Sequence, residues 1–403
     1  MTGRGATPVL IAADVRFPLE RANGVQILKT AHALARQGTP VTLLVRHSDP
    51  RSDAEILARF GLAPRPGLRI RRLRVGHRSG RFLLARLRYL AGAGLAALGA
   101  ARRGALVFTR DLQLADALLA LPAGPRLVYE AHAVEAAMYR ERGALYGTGE
   151  TPRPAKAARL AGRERRVWRR AHGLVTTTAG IRDSFADSYG PRRGPTRVLP
   201  NGCDAAAGQP FPGLSPERPP RVLYAGQLYP WKGVDVLVEA MAEVPEARLA
   251  LAGGLPGEPD LERIRARVAE RGLAGRTELL GTIPQAQVAA ELTRAAVVVV
   301  PPLRSVMTER HMSPIKALEA LAAGRPVVAS DLASCRELLA PEETALLVPP
   351  GEAAPLAAAI RRLLADAALA ERLARNAWAA APRFSWDARA GALRELFETV
   401  RAA

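Results

Sequence analysis

Ser313, Lys316 and Glu319 stand three residues apart in the stretch 312–331, MSPIKALEALAAGRPVVASD. On a helix that spacing brings a hydroxyl, an ammonium and a carboxylate to one face. Free backbone N–H groups at a helix start, next to an ammonium, suit an anion. A carboxylate one turn later can accept hydrogen bonds from sugar hydroxyls. The set reads as a socket for a nucleotide-sugar. The elements that must position it are also legible. Ser313-Pro314 reads as N-cap and first helical residue. Ile315, Leu318 and Leu321 form the apolar face, and Gly324 with Pro326 ends the helix. Pro326-Val327-Val328-Ala329 is then a short strand of the kind buried in a parallel sheet.

Four further groups could do chemistry. Lys232 follows a turn and precedes a helix, near the carboxyl end of a strand; its plain reading is a solvated lysine. Asn23-Gly24-Val25 reads as a glycine loop leading into a helix over 26–37. The glycine either permits a turn or lets backbone N–H groups approach a phosphate. Tyr129-Glu130-Ala131-His132 ends a strand, where a lone histidine is often structural. Gly281-Thr282-Ile283-Pro284 follows another strand and, on sequence alone, is only a turn.

Two passages begin alike. Residues 8–12 and 221–225 are short apolar strands, each followed by a glycine-containing loop and a helix. Further strands fall at 41–45, 105–109, 126–129 and 173–177, then at 247–252, 277–280, 296–300 and 326–329, with helical stretches between them. This alternation predicts an α/β protein of two doubly wound domains, a number that 403 residues also favour. Ligands of such sheets bind outside the carboxyl ends of the strands, so the expected active site lies where two domains face each other. Residues 208–220, rich in Pro and Gly, read as the linker.

The net charge of +20 is unevenly spread. Residues 1–200 carry 35 Lys and Arg against 14 Asp and Glu, whereas the remainder is close to neutral. No acidic residue stands between Glu55 and Asp111. The first half is therefore expected to face something anionic. Aromatic residues are only 5%, and no nucleic-acid module is readable, so a nucleic-acid partner is not expected. Within 69–103, Phe82, Leu83, Leu87, Leu90 and Leu98 recur near helical spacing, with Arg81, Arg86 and Arg88 between them. Two readings stand: a helix lying on an anionic membrane, or a sheet-covering helix with a solvated arginine face. No window is expected to span a bilayer, and no signal peptide is expected at the start. Cys203 and Cys335, the only cysteines, make neither a disulfide framework nor a metal cluster. The expected location is cytoplasmic, with peripheral contact at the inner membrane face if the basic half binds lipid.

Taken in order, these blocks resemble the retaining glycosyltransferases of family 4 (glycosyltransferase group 1), in the SPxK variant of their C-terminal signature. The resemblance runs through Ala33-Leu34-Ala35-Arg36-Gln37-Gly38, Leu199-Pro200-Asn201-Gly202-Cys203-Asp204 and Gly226-Gln227-Leu228 with Lys232-Gly233. It continues through Ser313-Pro314-Ile315-Lys316 with Glu319, Gly324-Arg325-Pro326-Val327-Val328, and Phe384-Ser385-Trp386. It covers nearly the whole length. It implies the GT-B fold, two facing Rossmann-like domains with a C-terminal helix returning to the first. The expected division is 1–207 for the acceptor, 208–220 as linker, 221–384 for the nucleotide-sugar and 385–403 for the returning helix.

The resemblance also implies roles. Lys232, His132 and Glu319 would form the catalytic set, with Lys232 on the leaving diphosphate, Glu319 on the ribose and His132 near the transferred sugar. Gly24, Gln227, Ile283, Arg304, His311, Ser313, Pro314, Ile315 and Lys316 would complete the donor site, with Ile283 bordering the nucleobase. Asn23, Val25, Glu130 and His132 would meet the acceptor. Two positions depart from the family pattern. Gln227 stands where an arginine is usual, and Arg304 or Arg310 is the candidate replacement. His311 stands where a glutamate contacts the sugar, and Glu309 is two residues off register.

The implied reaction is metal-independent hexosyl transfer with retention from a nucleoside-diphosphate sugar, uridine being the commonest base. No cofactor is expected beyond that co-substrate. Domain closure would exclude water. The charge of the first half suits an anionic lipid, a lipid-linked saccharide or a soluble phosphorylated acceptor and, less well, a neutral natural product. The rival readings are a GT-B nucleotide-sugar epimerase, which needs no acceptor, and a basic membrane or nucleic-acid binding protein.

Overall fold

The computed structural model describes residues 6–17, 22–47, 49–76, 82–205 and 207–403, the Phe82 side chain excepted. Arg81 lies outside the described residues. The chain forms two compact units. The first comprises residues 1–139, 153–200 and 386–403; the second comprises 140–152 and 201–385.

The first unit holds strands β1 (Val9–Phe17), β2 (Val41–His47), β3 (Leu68–Leu73), β4 (Leu106–Thr109), β5 (Leu127–Ala131), β6 (Gly173–Thr176) and β7 (Thr196–Val198). Among the described residues these make one parallel sheet in the order β3-β2-β1-β4-β5-β6-β7. Helices α1 (Ala22–Arg36), α2 (Asp53–Arg59), α3 (Phe82–Ala101), α4 (Leu112–Leu119), α5 (Glu135–Leu145), α6 (Pro154–Arg170) and α7 (Ala179–Tyr189) connect them, α5 running on into the second unit. The second unit repeats the plan. Strands β8 (Arg221–Ala225), β9 (Arg248–Ala252), β10 (Thr277–Gly281), β11 (Val297–Val300), β12 (Val327–Ser330) and β13 (Leu346–Val348) form a parallel sheet in the order β10-β9-β8-β11-β12-β13. Its helices are α8 (Val234–Ala242), α9 (Pro259–Glu270), α10 (Gln285–Arg294), α11 (Ile315–Ala322), α12 (Ala333–Arg336), α13 (Ala353–Ala365) and α14 (Ala367–Ala380). The last helix, α15 (Trp386–Ala402), returns to the first unit, where Trp386, Leu393, Leu396 and Phe397 join the core under the sheet.

Central strands in both sheets are buried on both faces, as their unbroken apolar runs require. In each sheet the order reverses once, between β1 and β4 and between β8 and β11. Crossovers leave in opposite directions there, and in such sheets ligands bind outside the carboxyl ends of the strands at that point.

Three expectations change. Residues 208–220 are bonded onto the second unit rather than linking freely. Buried Arg325 donates to the Gly213 carbonyl, and Ser215 Oγ donates to the Arg294 carbonyl at the end of α10 at 2.7 Å, which ties the stretch to the unit at two points. Within the basic stretch 69–103 the helical spacing from Phe82 on is met by α3, but an edge strand that was not expected, β3, occupies 68–73. Within α3, Leu83–Ala101 is long and apolar enough, by length and composition, to cross a membrane, although no such window was expected. Its buried side packs on the sheet, and Arg86 is paired with Asp111 at 2.6 Å and with Asp14 rather than solvated.

Candidate active site

In the second unit the loops after β8 and β11 meet at the switch point. The loop after β8 makes one 3-10 turn, Pro230–Lys232, and enters α8 through Gly233 at φ 71°. A Cβ there would collide with the Pro301 carbonyl, so only glycine lets the two loops touch. Leu303 N–H donates to the Trp231 carbonyl at 2.9 Å and fixes the contact.

Lys232 sits in this junction, half-buried, with its Nζ 4.0 Å from the centre of the Trp231 ring. No carboxylate pairs with it among the described residues. Burial holds its pKa down at about 8; Cys335 opposes this by a smaller amount, and the nearby Lys316 charge lowers it by less again. Burial also pushes the Cys335 thiol up to about 12, so it stays neutral. The result is a desolvated cation that no carboxylate neutralises among the described residues.

Helix α11 carries Lys316 close enough to act on that ammonium, and its Ile315, Leu318 and Leu321 are buried. Pro314, not Ser313, is its N-cap, and no side chain caps it. The reason lies outside the motif. Asn201 N–H donates to Ser313 Oγ at 3.0 Å, and Asn201 Nδ2 donates to the Ser313 carbonyl at 2.7 Å. The Ser313 hydroxyl is thus held away from the helix end, which keeps its first N–H groups open. Glu319 Oε1 accepts from Gln285 Nε2 at 2.6 Å. Lys316 Nζ lies 2.8 Å from Oε2 but off the hydrogen-bonding direction, and that buried oxygen has no hydrogen bond. Gln285 begins α10, immediately after the Thr282-Ile283-Pro284 turn, so the turn beside β10 and the signature helix are brought together. Thr282 Oγ1 ties the same turn to the Gly254 carbonyl at 3.0 Å.

Other expected donor residues are placed differently. Arg304 is exposed and turned to Glu309, so its charge is already matched. Glu309 also accepts from Ala333 N–H at 3.1 Å at the start of α12; its carboxylate is a structural clasp. His311 is buried in a single π-turn, Met307–His311, and burial, with Arg310 nearby, lowers its pKa to about 4. It is a neutral ring where the family pattern has a charge. Gln227 is half-buried, and its backbone carbonyl accepts from Tyr224 Oη at 2.6 Å.

In the first unit, Asn23, Gly24 and Val25 lie within α1, not in a loop, the helix being described from Ala22 on. Gly24 and Val25 are buried, and Asn23 Oδ1 is a buried acceptor without a partner. Glu130 corrects the expectation of an acceptor contact. It is 3% exposed, paired with Arg389 of α15, and accepts from Gln26 Nε2 at 3.1 and 3.2 Å. Arg389 in turn donates to the Pro200 carbonyl at 2.6 Å. A carboxylate so saturated cannot turn to a ligand; it fastens α15 to the sheet. His132 lies 3.4 Å from Glu130 Oε2 without a hydrogen bond. Burial, and then the Arg110 charge, hold its pKa well below the ordinary histidine value, so its ring is neutral.

Sequence reasoning missed Arg110 and Asp111, which follow β4 at the other switch point. They line a cavity of about 370 Å³ with Asp14, Asn23, Arg86 and Arg163. Asp14 and Asp111 are matched by Arg86 and Arg46. Arg110 makes no ion pair within 4 Å among the described residues and donates to Gln26 Oε1 at 3.3 Å, although Glu135, which lines the same cavity, acts on its charge from further off. Its position one residue beyond a central strand was the available signal.

Residues 208–379 match the family model described as glycosyl transferases group 1, and residues 23–202 the model described as glycosyl transferase 4-like domain. The D-inositol 3-phosphate glycosyltransferase of Acidothermus cellulolyticus is 32% identical over 281 residues, 66% of this chain and 60% of that protein. Among the first curated relatives, the chain spans 60% to 65% of their length. Sucrose-phosphate synthase from Thermosynechococcus elongatus has a TM-score of 0.77 at 24% identity, covering 98% of this chain and 99% of that one. Anabaena HepE, solved with UDP and glucose, has a TM-score of 0.70 at 18% identity, covering 98% and 100%. At these identities the two structures establish the fold, GT-B, and nothing more.

Proposed function

Since the chain belongs to the group 1 glycosyltransferases and has their GT-B fold, we propose that it moves a hexosyl group from a nucleoside-diphosphate sugar to an acceptor hydroxyl, with retention and without a metal. The observation that carries this reading is Lys232, a half-buried cation with no carboxylate partner among the described residues, near Lys316 on the helix whose N-terminus is open. The main electrostatic demand of the reaction is charge building on the departing diphosphate, and prearranged positive groups meet it. Glu319, held by Gln285 through one oxygen and with Lys316 Nζ 2.8 Å from the other, offers that second oxygen to the ribose hydroxyls.

In this mechanism the bond from the anomeric carbon to the phosphate oxygen breaks, and a bond to the acceptor oxygen forms on the same face. The acceptor proton passes to the leaving phosphate oxygen. No protein carboxylate is needed as nucleophile, which agrees with Glu130 and Glu309 being occupied. His132, neutral, serves as a hydrogen-bonding group rather than a charge. We favour a uridine base, the base bound in HepE. The acceptor we propose carries an anionic group, read by Arg110 in the cavity of the first unit. Two buried cysteines that form no disulfide suit the reducing cytoplasm.

The test is a thermal-shift series with uridine, guanosine and adenosine diphosphate sugars, with Glu319→Ala alongside. A shift with one base, lost in the variant, supports the donor site. No shift with any donor removes the reading. An epimerase would instead convert the donor sugar with no acceptor present, which product analysis reveals.

A further inference from the structure

Helix α3 reverses the usual distribution of side chains. The side against the sheet carries Ala85, Tyr89, Ala93, Ala96, Ala97 and Ala100, all buried. The opposite side carries Leu83, Leu84, Leu87 and Leu95, exposed by 71%, 39%, 51% and 73%. A helix that only covers a sheet turns its leucines inward and its polar residues outward. Here small residues suffice for the inner packing, and four leucines stand in water along one stripe. Scattered exposed leucines are ordinary; a stripe is a contact surface.

The charge around the stripe identifies what it contacts. Arg88 lies within it, exposed, and Arg102 and Arg103 are exposed just beyond its end. Arg69 and Arg71 are exposed on the same face of β3 as Leu73. A Cβ at Gly92 would lie 3.1 Å from Leu73 Cδ1, which puts that face of β3 against α3. No acidic residue occurs anywhere from 56 to 110. A two-fold contact between copies of the chain would bring this arginine border onto itself. Spanning is also ruled out, because the inner side of α3 belongs to the protein core.

We propose that the outer face of α3 docks on an anionic lipid bilayer. The helix lies parallel to the surface, its leucines in the boundary between headgroups and acyl chains and the arginines of α3 and β3 on lipid phosphates. This rests on the first unit alone and is independent of the donor chemistry.

The test uses the full chain and vesicle sedimentation, with phosphatidylcholine alone and with added phosphatidylglycerol. Binding is expected to require the anionic lipid and to weaken with salt. Leu83→Ser/Leu87→Ser/Leu95→Ser should lower partitioning by at least about tenfold. Arg69→Ser/Arg71→Ser should lower it by about fivefold per arginine. Both variants alter exposed positions, and an unchanged unfolding temperature shows that each is folded. Sedimentation with neither vesicle, equal sedimentation with both, or wild-type binding by the leucine variant overturns the proposal. So does a concentration-dependent dimer, seen by ultracentrifugation without lipid and lost in the leucine variant, which assigns the face to a second copy.

Discussion

At the carboxyl end of β8 the Lys232 ammonium has no carboxylate partner among the described residues, whereas at the carboxyl end of β5 the Glu130 carboxylate is bonded by Arg389 and Gln26. The two sheets share a strand order and a switch point, so both ends are equally suited to ligands. They differ in where their charges are spent. The second unit leaves positive charge and an open helix end for a ligand whose own charge is fixed. The first unit uses most of its charges on itself: Glu130 with Arg389, and Asp14 with Arg46, Arg86 and Asp111. What it leaves over, Arg110 beside a polar cavity, is a smaller vocabulary and more easily changed. A constant leaving group facing one unit and a variable acceptor facing the other would produce this difference.

The sharpest way to break the contrast is at Glu130. If its charge serves the fold, Glu130→Ala strands Arg389 in the core, and chemical denaturation should show a loss of about 3–5 kcal/mol. Nucleotide-sugar affinity should be unchanged wherever the variant is folded. A variant of normal stability that has lost turnover would instead make Glu130 a ligand group and erase the difference between the units. The next largest effect lies in the second unit. Lys232→Ala removes the cation facing the leaving diphosphate and should lower kcat by about a hundred- to a thousandfold, with no loss of stability in denaturation.

The contrast also explains which parts were legible in the sequence. The second unit's site is local: Ser313 to Glu319 is one helix entry, Lys232 is one turn, and each is recognisable within a dozen residues. Even there the Ser313 cap failed, because Asn201, more than a hundred positions away, takes the hydroxyl. In the first unit almost nothing is local. Glu130 and Arg389 are separated by 259 positions, and Arg86 and Asp14 by 72. Periodicity finds strands and helices but not such pairs, so Glu130 read as available and Arg110 was not singled out. Similarly, β3 was hidden in the arginine-rich stretch 69–103 because an exposed edge strand has no apolar run to reveal it.

A pH series sharpens the same comparison with a smaller effect. Lys232 titrates near 8 in the folded protein, below the ordinary lysine value of 10.5, because burial disfavours its charge. Diphosphate binding needs the charged form. Donor affinity should therefore hold up to pH 8 and then fall by about tenfold per unit. Lys232→Arg should stay flat across that range, since a guanidinium does not lose its proton there. Stability without ligand has the opposite slope. Between pH 8 and 10.5 the unfolded chain keeps a proton that the folded one has lost, so this group makes stability rise with pH. Calorimetry across the window reads both signs, and a flat affinity profile for the native protein would remove Lys232 from the diphosphate site.

The smallest effect is expected at Arg304, and it decides how the missing family arginine at Gln227 is handled. Arg304 is exposed and paired with Glu309, and such surface pairs contribute about 0–1 kcal/mol. To reach a diphosphate it would have to abandon Glu309, which would then lose a partner while still capping α12 through Ala333. Arg304→Ala should therefore change donor affinity by less than about twofold. If the second charge is simply absent, Gln227→Arg should raise affinity by several-fold, because it adds a cation where the leaving group is held and where no pair must first be broken. A tenfold loss in Arg304→Ala, with Gln227→Arg neutral, would mean that Arg304 leaves Glu309 when donor binds. The second unit would then keep its charge in reserve within an ion pair, as the first unit does, and the two carboxyl ends would differ only in degree.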